Sequence, residues 1–180
     1  MKNQLIFIFV LLPIFLFGQK EFKITKTVDE FTGDTLIQSA WVKMSNTDNA
    51  NRQSYIRLSS SKGVNVFEIM YSTLGQIASI SPGDEFYIKL QSGTVVTLKN
   101  SDFQISEKGK ASPVFAGSEA TGFHLFFPIS NEDLLLLSQS RIEKCRLSTS
   151  KGFMETGISK EENRENVFLV FKNFFTALSN

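Results

Sequence analysis

One cysteine, one histidine, one tryptophan and four prolines stand among the 180 residues of this chain, and each scarcity closes off some chemistry. Structural zinc needs four Cys or His ligands, and catalytic zinc usually takes three protein ligands that include His, so Cys145 and His124 assemble neither. Cys145 has no second cysteine to pair with, and no intramolecular disulfide is expected. Charge of one sign is lacking too: 19 basic against 18 acidic side chains give a formal +1. Such a balance offers no field to a polyanion and argues against a nucleic-acid partner. Neither Gly-x-x-x-x-Gly-Lys nor Gly-x-Gly-x-x-Gly occurs, which removes support for nucleotide chemistry. No Gly-x-Ser-x-Gly turn presents a serine to His124. No cofactor or metal is expected, and no catalytic residue is assigned.

Long hydrophobic runs are missing except for one. Leu5 to Phe17 is apolar throughout, behind the short positive segment Met1-Lys2-Asn3-Gln4. It fits the roughly 7–15 residues of a secretory core and falls short of the roughly 20 that span a bilayer. Residues 1–18 are therefore expected to be a cleavable signal peptide, cut after Gly18, and 19–180 a single β-rich α+β domain. Lipid attachment at the cut would need a cysteine there, and the only one is Cys145. No stable membrane insertion is expected once the leader is gone. The leader resembles those of small exported proteins of Gram-negative bacteria, which implies the periplasm, cell surface or extracellular space and identifies no activity.

What the chain does have is apolar residues, 42% of the total, with 18 Phe. That is enough for a packed core without covalent staples. Alternating segments suggest strands at 22–28, 36–44, 53–59, 64–71, 86–90, 95–99, 123–127, 142–149 and 153–158, with a short one near 102–106. Leu36, Ala40, Val42 and Met44 should share one face of their strand. Lys62-Gly63, Ser92-Gly93 and Ser150-Lys151-Gly152 read as hairpin turns. Ser45 to Asn51 is a polar loop, and the Gly-, Ser- and Lys-rich stretch 107–119 suits a mobile one. Phe123, Leu125 and Phe127 alternate with His124 and Phe126, so this strand is expected at the centre of a sheet, covered on both faces.

Two capping signals, Ser130 with Asp133 and Ser159 with Glu162, predict helices near 131–138 and 161–178. The second carries Val167, Phe168, Phe171, Phe174, Phe175 and Leu178 at helical spacing, an apolar stripe that needs a sheet to cover. The predicted architecture is α+β, a mostly antiparallel sheet of about nine or ten strands with both helices late in the chain. A β-sandwich with an appended C-terminal helix is the alternative.

Acidic residues collect in turns, at Asp29, Glu30 and Asp34 and at Asp84 and Glu85, without the spacing of an EF-hand loop; solvated turn acids are the simpler reading. Cys145 reads as a small buried apolar residue, and His124 as a ring packed beside Phe126. The aromatic residues other than Phe are more informative. Trp41, Tyr55 and Tyr87 each lie opposite the apolar face of their own strand, and rings with a polar edge stack on sugars or anchor protein partners. They are the candidate ligand-binding residues. The expectation is a non-enzymatic exported binding or assembly module of the bacterial envelope, with a glycan or an envelope protein as ligand. A small carboxylate-dependent, glycosidase-like hydrolase and a purely structural accessory domain are the alternatives.

Overall fold

A computed structural model of the chain describes residues 22–44, 53–113, 120–158 and 160–179. The expected leader, the polar loop 45–51, the Ser159 cap and part of the 107–119 stretch lie outside these residues. Among the described residues, strands β1 (Ile24–Val28), β2 (Thr35–Ser39), β3 (Val42–Lys43), β4 (Tyr55–Ser61) and β5 (Val64–Ser72) open the fold. Strands β6 (Ser79–Ile80), β7 (Glu85–Leu90), β8 (Val95–Lys99), β9 (Gln104–Ile105), β10 (Glu107–Lys108) and β11 (Thr121–Pro128) follow. Helix α1 (Asn131–Gln139), β12 (Ile142–Thr149), β13 (Gly152–Gly157) and helix α2 (Glu161–Leu178) complete it. The architecture is α+β and mostly antiparallel. Nine strands have five or more residues, and the other four are two-residue bridges.

The strands form a seven-stranded sheet ordered β1-β2-β4-β5-β11-β10, with β3 also on β4, a four-stranded sheet ordered β13-β12-β7-β8, and the small pair β6-β9. Local chemistry sets the hairpins. Lys62 and Gly63 both hold positive φ, 52° and 76°, between β4 and β5, the arrangement of a tight turn whose twist matches the strands. The β7–β8 loop is longer than a two-residue Ser92-Gly93 turn. Leu90 N–H donates to Thr94 O at 2.9 Å, and Gly93 N–H, with φ 90°, donates to Leu90 O at 3.0 Å, so three residues turn the chain.

One extra residue separates the registers of β2 and β3 on β4. β2 pairs Leu36 with Ser61 and Ile37 with Ser60, whereas β3 pairs Val42 with Ile56. The register slips by one between them, at Ala40 and Trp41. Val42 and Met44 are buried on the inner face as expected, but Leu36 falls on the opposite face and is 39% exposed, because a one-residue insertion exchanges the two faces of a strand.

The two larger sheets pack inner face to inner face. Phe67 of β5 stacks on Phe86 of β7 with centroids 5.8 Å apart, and Phe127 of β11 lies 5.4 Å from Phe86. Helix α1 starts where the Ser130 hydroxyl accepts the Asp133 N–H at 3.0 Å, the cap its sequence announced. Lys160 stands at the N-cap of α2, where its side chain makes no capping hydrogen bond. Yet α2 is no appendage: Val167, Val170, Phe171 and Phe174 are fully buried, and Phe171 stacks on Phe67 at 6.1 Å. The helix closes the same core the sheets share. Cys145 belongs to that core at 1% exposure, with its Sγ 3.9 Å from Met44 Sδ. Burial pushes its thiol well above the ordinary range.

Strand β11 departs from its expected place. It pairs with β5 over seven residues, but on its other side only Gly122 and Thr121 meet β10. Its outer face is open, and Phe126 is 46% exposed.

Candidate functional site

Trp41 sits at the register slip, where its side chain turns to the outer face of the seven-stranded sheet. The Arg57 guanidinium lies over its ring, 4.6 Å from the centroid, and the His124 ring meets it edge-on at 5.7 Å. Arg57 is held from the other side by Glu68. The tight turn at Lys62-Gly63 pairs Ser61 with Val64, and counting outward sets Arg57 opposite Glu68 and Ser59 opposite Val66. Glu68 in turn lies opposite Phe126 of β11. Three strands thus bring a cation, an anion and an aromatic ring into one row.

The charged groups of the row are bonded to each other. Arg57 donates from Nε to Glu68 Oε1 at 3.1 Å and from Nη2 to Oε2 at 2.6 Å, a fork-to-fork pair. The Ser59 hydroxyl donates to Oε1 at 3.2 Å, and His124 Nε2 lies 3.4 Å from Oε2. Glu68 is only 3% exposed at its side chain and Arg57 24%. Burial pushes the Glu68 carboxyl up, but the hydrogen bonds from His124, Arg57 and Ser59 and the charge of Arg57 outweigh it and hold it below the ordinary carboxylate range. A carboxyl so held stays ionised, the opposite of what a glycosidase proton donor requires. Nor do Ser59, Glu68 and His124 form a triad, because the serine hydroxyl donates to the carboxylate and not to the imidazole. The cluster is a platform whose carboxylate is already held by three side chains.

Beside it lies an open apolar surface. The His124 ring lies against Phe126, tilted to it, with centroids 4.4 Å apart, as its sequence position suggested. A shallow cleft joins both rings to Phe103 and Ile105, with Glu107 and Lys110 at the rim. Phe103 and Ile105 are 61% and 51% exposed.

The three sequence-predicted rings are placed very differently. Trp41 belongs to this platform, half-buried, with one face under Arg57. Tyr55 shares its sheet face but is buried, with its hydroxyl donating to Gln53 Oε1. Tyr87 lies on the other sheet, facing away from Phe86 and Ile88 and opposite Arg146 and Thr97. Its hydroxyl donates to Glu85, which raises its pKa. The three therefore do not converge on one surface. Sequence reasoning missed Arg57, Glu68, His124 and Phe126 as a unit, although counting outward from the Lys62-Gly63 turn would have paired the first two.

The turn acids have local work. Asp29 Oδ1 accepts the N–H groups of Phe31 and Thr32 at 2.9 and 2.8 Å, Asp84 Oδ2 accepts Ser81 N–H at 2.6 Å, and Asp34 pairs with Lys62. Among the described residues, no group of three or more His, Cys, Asp or Glu is arranged to hold a metal, and no helix is long and apolar enough to cross a membrane. No protein-family model, curated protein or solved structure matches the chain.

Proposed function

We propose that this chain is a non-enzymatic, exported binding or assembly module of the bacterial envelope, and that it docks a protein partner on the outer face of its seven-stranded sheet. The observation that carries this reading is the exposed apolar surface of Phe103, Ile105 and Phe126 beside the Trp41–Arg57–Glu68–His124 platform. Apolar side chains grouped on a firm base, with an arginine and aromatic rings next to them, have the make-up of a protein-binding hot spot. Of the two ligand classes the sequence suggested, this face suits protein better than glycan. Tyr55 is buried, and Trp41 has one face under Arg57, so neither ring offers a free stacking platform. Export rests on the leader sequence.

Replacing both Phe103 and Phe126 with serine tests the reading. The expected outcome is an unchanged melting temperature together with loss of the species that the wild-type chain forms on chemical cross-linking in intact cells. Retention of that species in the double variant contradicts the proposal. Intact mass of the exported protein tests the leader separately, with loss of the first 18 residues expected.

A further inference from the structure

The inner face of the seven-stranded sheet is apolar row after row and then turns polar. Ile56 faces Ile69, Leu58 faces Phe67, and the next row runs Ile37, Ser60, Asn65. Ser60 and Asn65 are only 7% and 8% exposed, at positions whose neighbours of the same parity are Leu58 and Phe67. Asn65 has its partners: its Nδ2 donates to Asn131 Oδ1 at 2.7 Å, and its carbonyl accepts Ile129 N–H at 3.0 Å. Ser60 has none. Among the described residues its hydroxyl makes no hydrogen bond, and it is not sealed from the space in front of it. A hydroxyl left open to that space at a core-facing position has both its donor and its acceptor capacity available to a ligand.

That space is a cleft of about 500 Å³ between the ends of the hairpins, the start of α1 and the end of α2. Ser60, Asn65 and Asn131 supply its polar wall, and Ile37 and Leu178 its apolar one. Lys62 and Asp34 meet at the rim, 2.9 Å apart.

We propose that this cleft binds a saccharide residue. Hydroxyl and carboxamide groups both donate and accept, as sugar hydroxyls do, while Ile37 and Leu178 provide contact for the C–H face of a pyranose. The paired Lys62 and Asp34 leave no net charge to select an ion. No strand edge lines the cleft either. β2 and β4 are paired on both sides, and the Asn65 carbonyl is already taken. An extended peptide would thus find no backbone ladder to join. This site is separate from the outer-face surface and stands or falls without it.

Amide chemical shifts of the ¹⁵N-labelled chain, titrated with glucose, galactose, mannose, N-acetylglucosamine, cellobiose and chitobiose, test the assignment. At least one probe is expected to give saturable shifts confined to residues around 33–37, 60–65 and 131. Ser60→Val should weaken that binding by up to about tenfold, the worth of one hydrogen bond, without lowering the melting temperature, since no internal bond is lost. Asn131→Ala, at the exposed first position of α1, should weaken it as well. Absence of saturable shifts with every probe overturns the proposal. So does binding unaffected by both substitutions, and so does a lower melting temperature for Ser60→Val, which would make the hydroxyl a structural group.

Discussion

Arg57 and Glu68 are partners, yet removing one should cost far more than removing the other. Arg57→Met leaves the Glu68 carboxylate at 3% exposure with only Ser59 and His124 to hold its charge. Stranding a buried charge in this way costs about 3–5 kcal/mol. Glu68→Gln leaves the cation, whose side chain is 24% exposed and lies on the Trp41 ring, so water and the ring supply part of what the carboxylate did. About 1–3 kcal/mol is the expected loss. The pH dependence follows from the direction of the Glu68 shift. Its folded pKa is depressed, so the stabilisation is complete above the unfolded value of about 4.3 and is lost as pH falls through the folded one. In Arg57→Met burial acts with less opposition, the folded pKa rises, and the penalty itself fades as the carboxyl takes up a proton. The gap between wild type and Arg57→Met should therefore be widest near neutrality and close on acidification. Urea unfolding followed by circular dichroism and by Trp41 fluorescence measures it. Equal costs for the two substitutions, or a gap unchanged down to about pH 3, would mean that Glu68 is not a buried charge held by Arg57.

Three further perturbations probe the rest of the fold. Gly122→Ala places a methyl group against the Tyr71 carbonyl and 2.7 Å from Ala111 Cβ; with backbone on one side it should cost on the order of 3 kcal/mol, read as a shift in the urea midpoint. Phe171→Ala removes the ring stacked on Phe67 and should cost about 3–5 kcal/mol, whereas a loss under about 1 kcal/mol would mean that α2 is the appendage the alternative architecture describes. Cys145, buried and with its thiol pKa raised, should resist a thiol reagent in the native protein and react on unfolding; rapid native labelling contradicts its place in the core.

The parts of this fold that were legible in the sequence are the local ones. The Lys62-Gly63 turn, the Ser130 cap and the aromatic stripe of α2 each depend on residues within a few positions of one another. What was not legible depends on pairing across long separations. Phe126 meets Glu68, and Arg146 meets Tyr87, through strands far apart in the chain. No periodicity within either strand reports its partner. The slip at Ala40–Trp41 is subtler: the alternation from Leu36 to Met44 looks unbroken, yet one inserted residue turns Leu36 outward and places Trp41 against Arg57. Five apolar or aromatic residues run together in β11, a pattern that suggests cover on both faces. That pattern records only that side chains are apolar; it cannot tell a buried face from an exposed one.

The proposed docking surface is Phe126 on the outer face of the seven-stranded sheet together with Phe103, which lies just before β9 and lines the same cleft. A photo-reactive amino acid placed at Phe103, and separately at Val95, tests it most directly. Val95 is similarly exposed, at 51%, but belongs to the four-stranded sheet. In intact cells a discrete cross-link to one envelope protein is expected from position 103 and none from position 95. No cross-link from 103, or the same products from both positions, would contradict it.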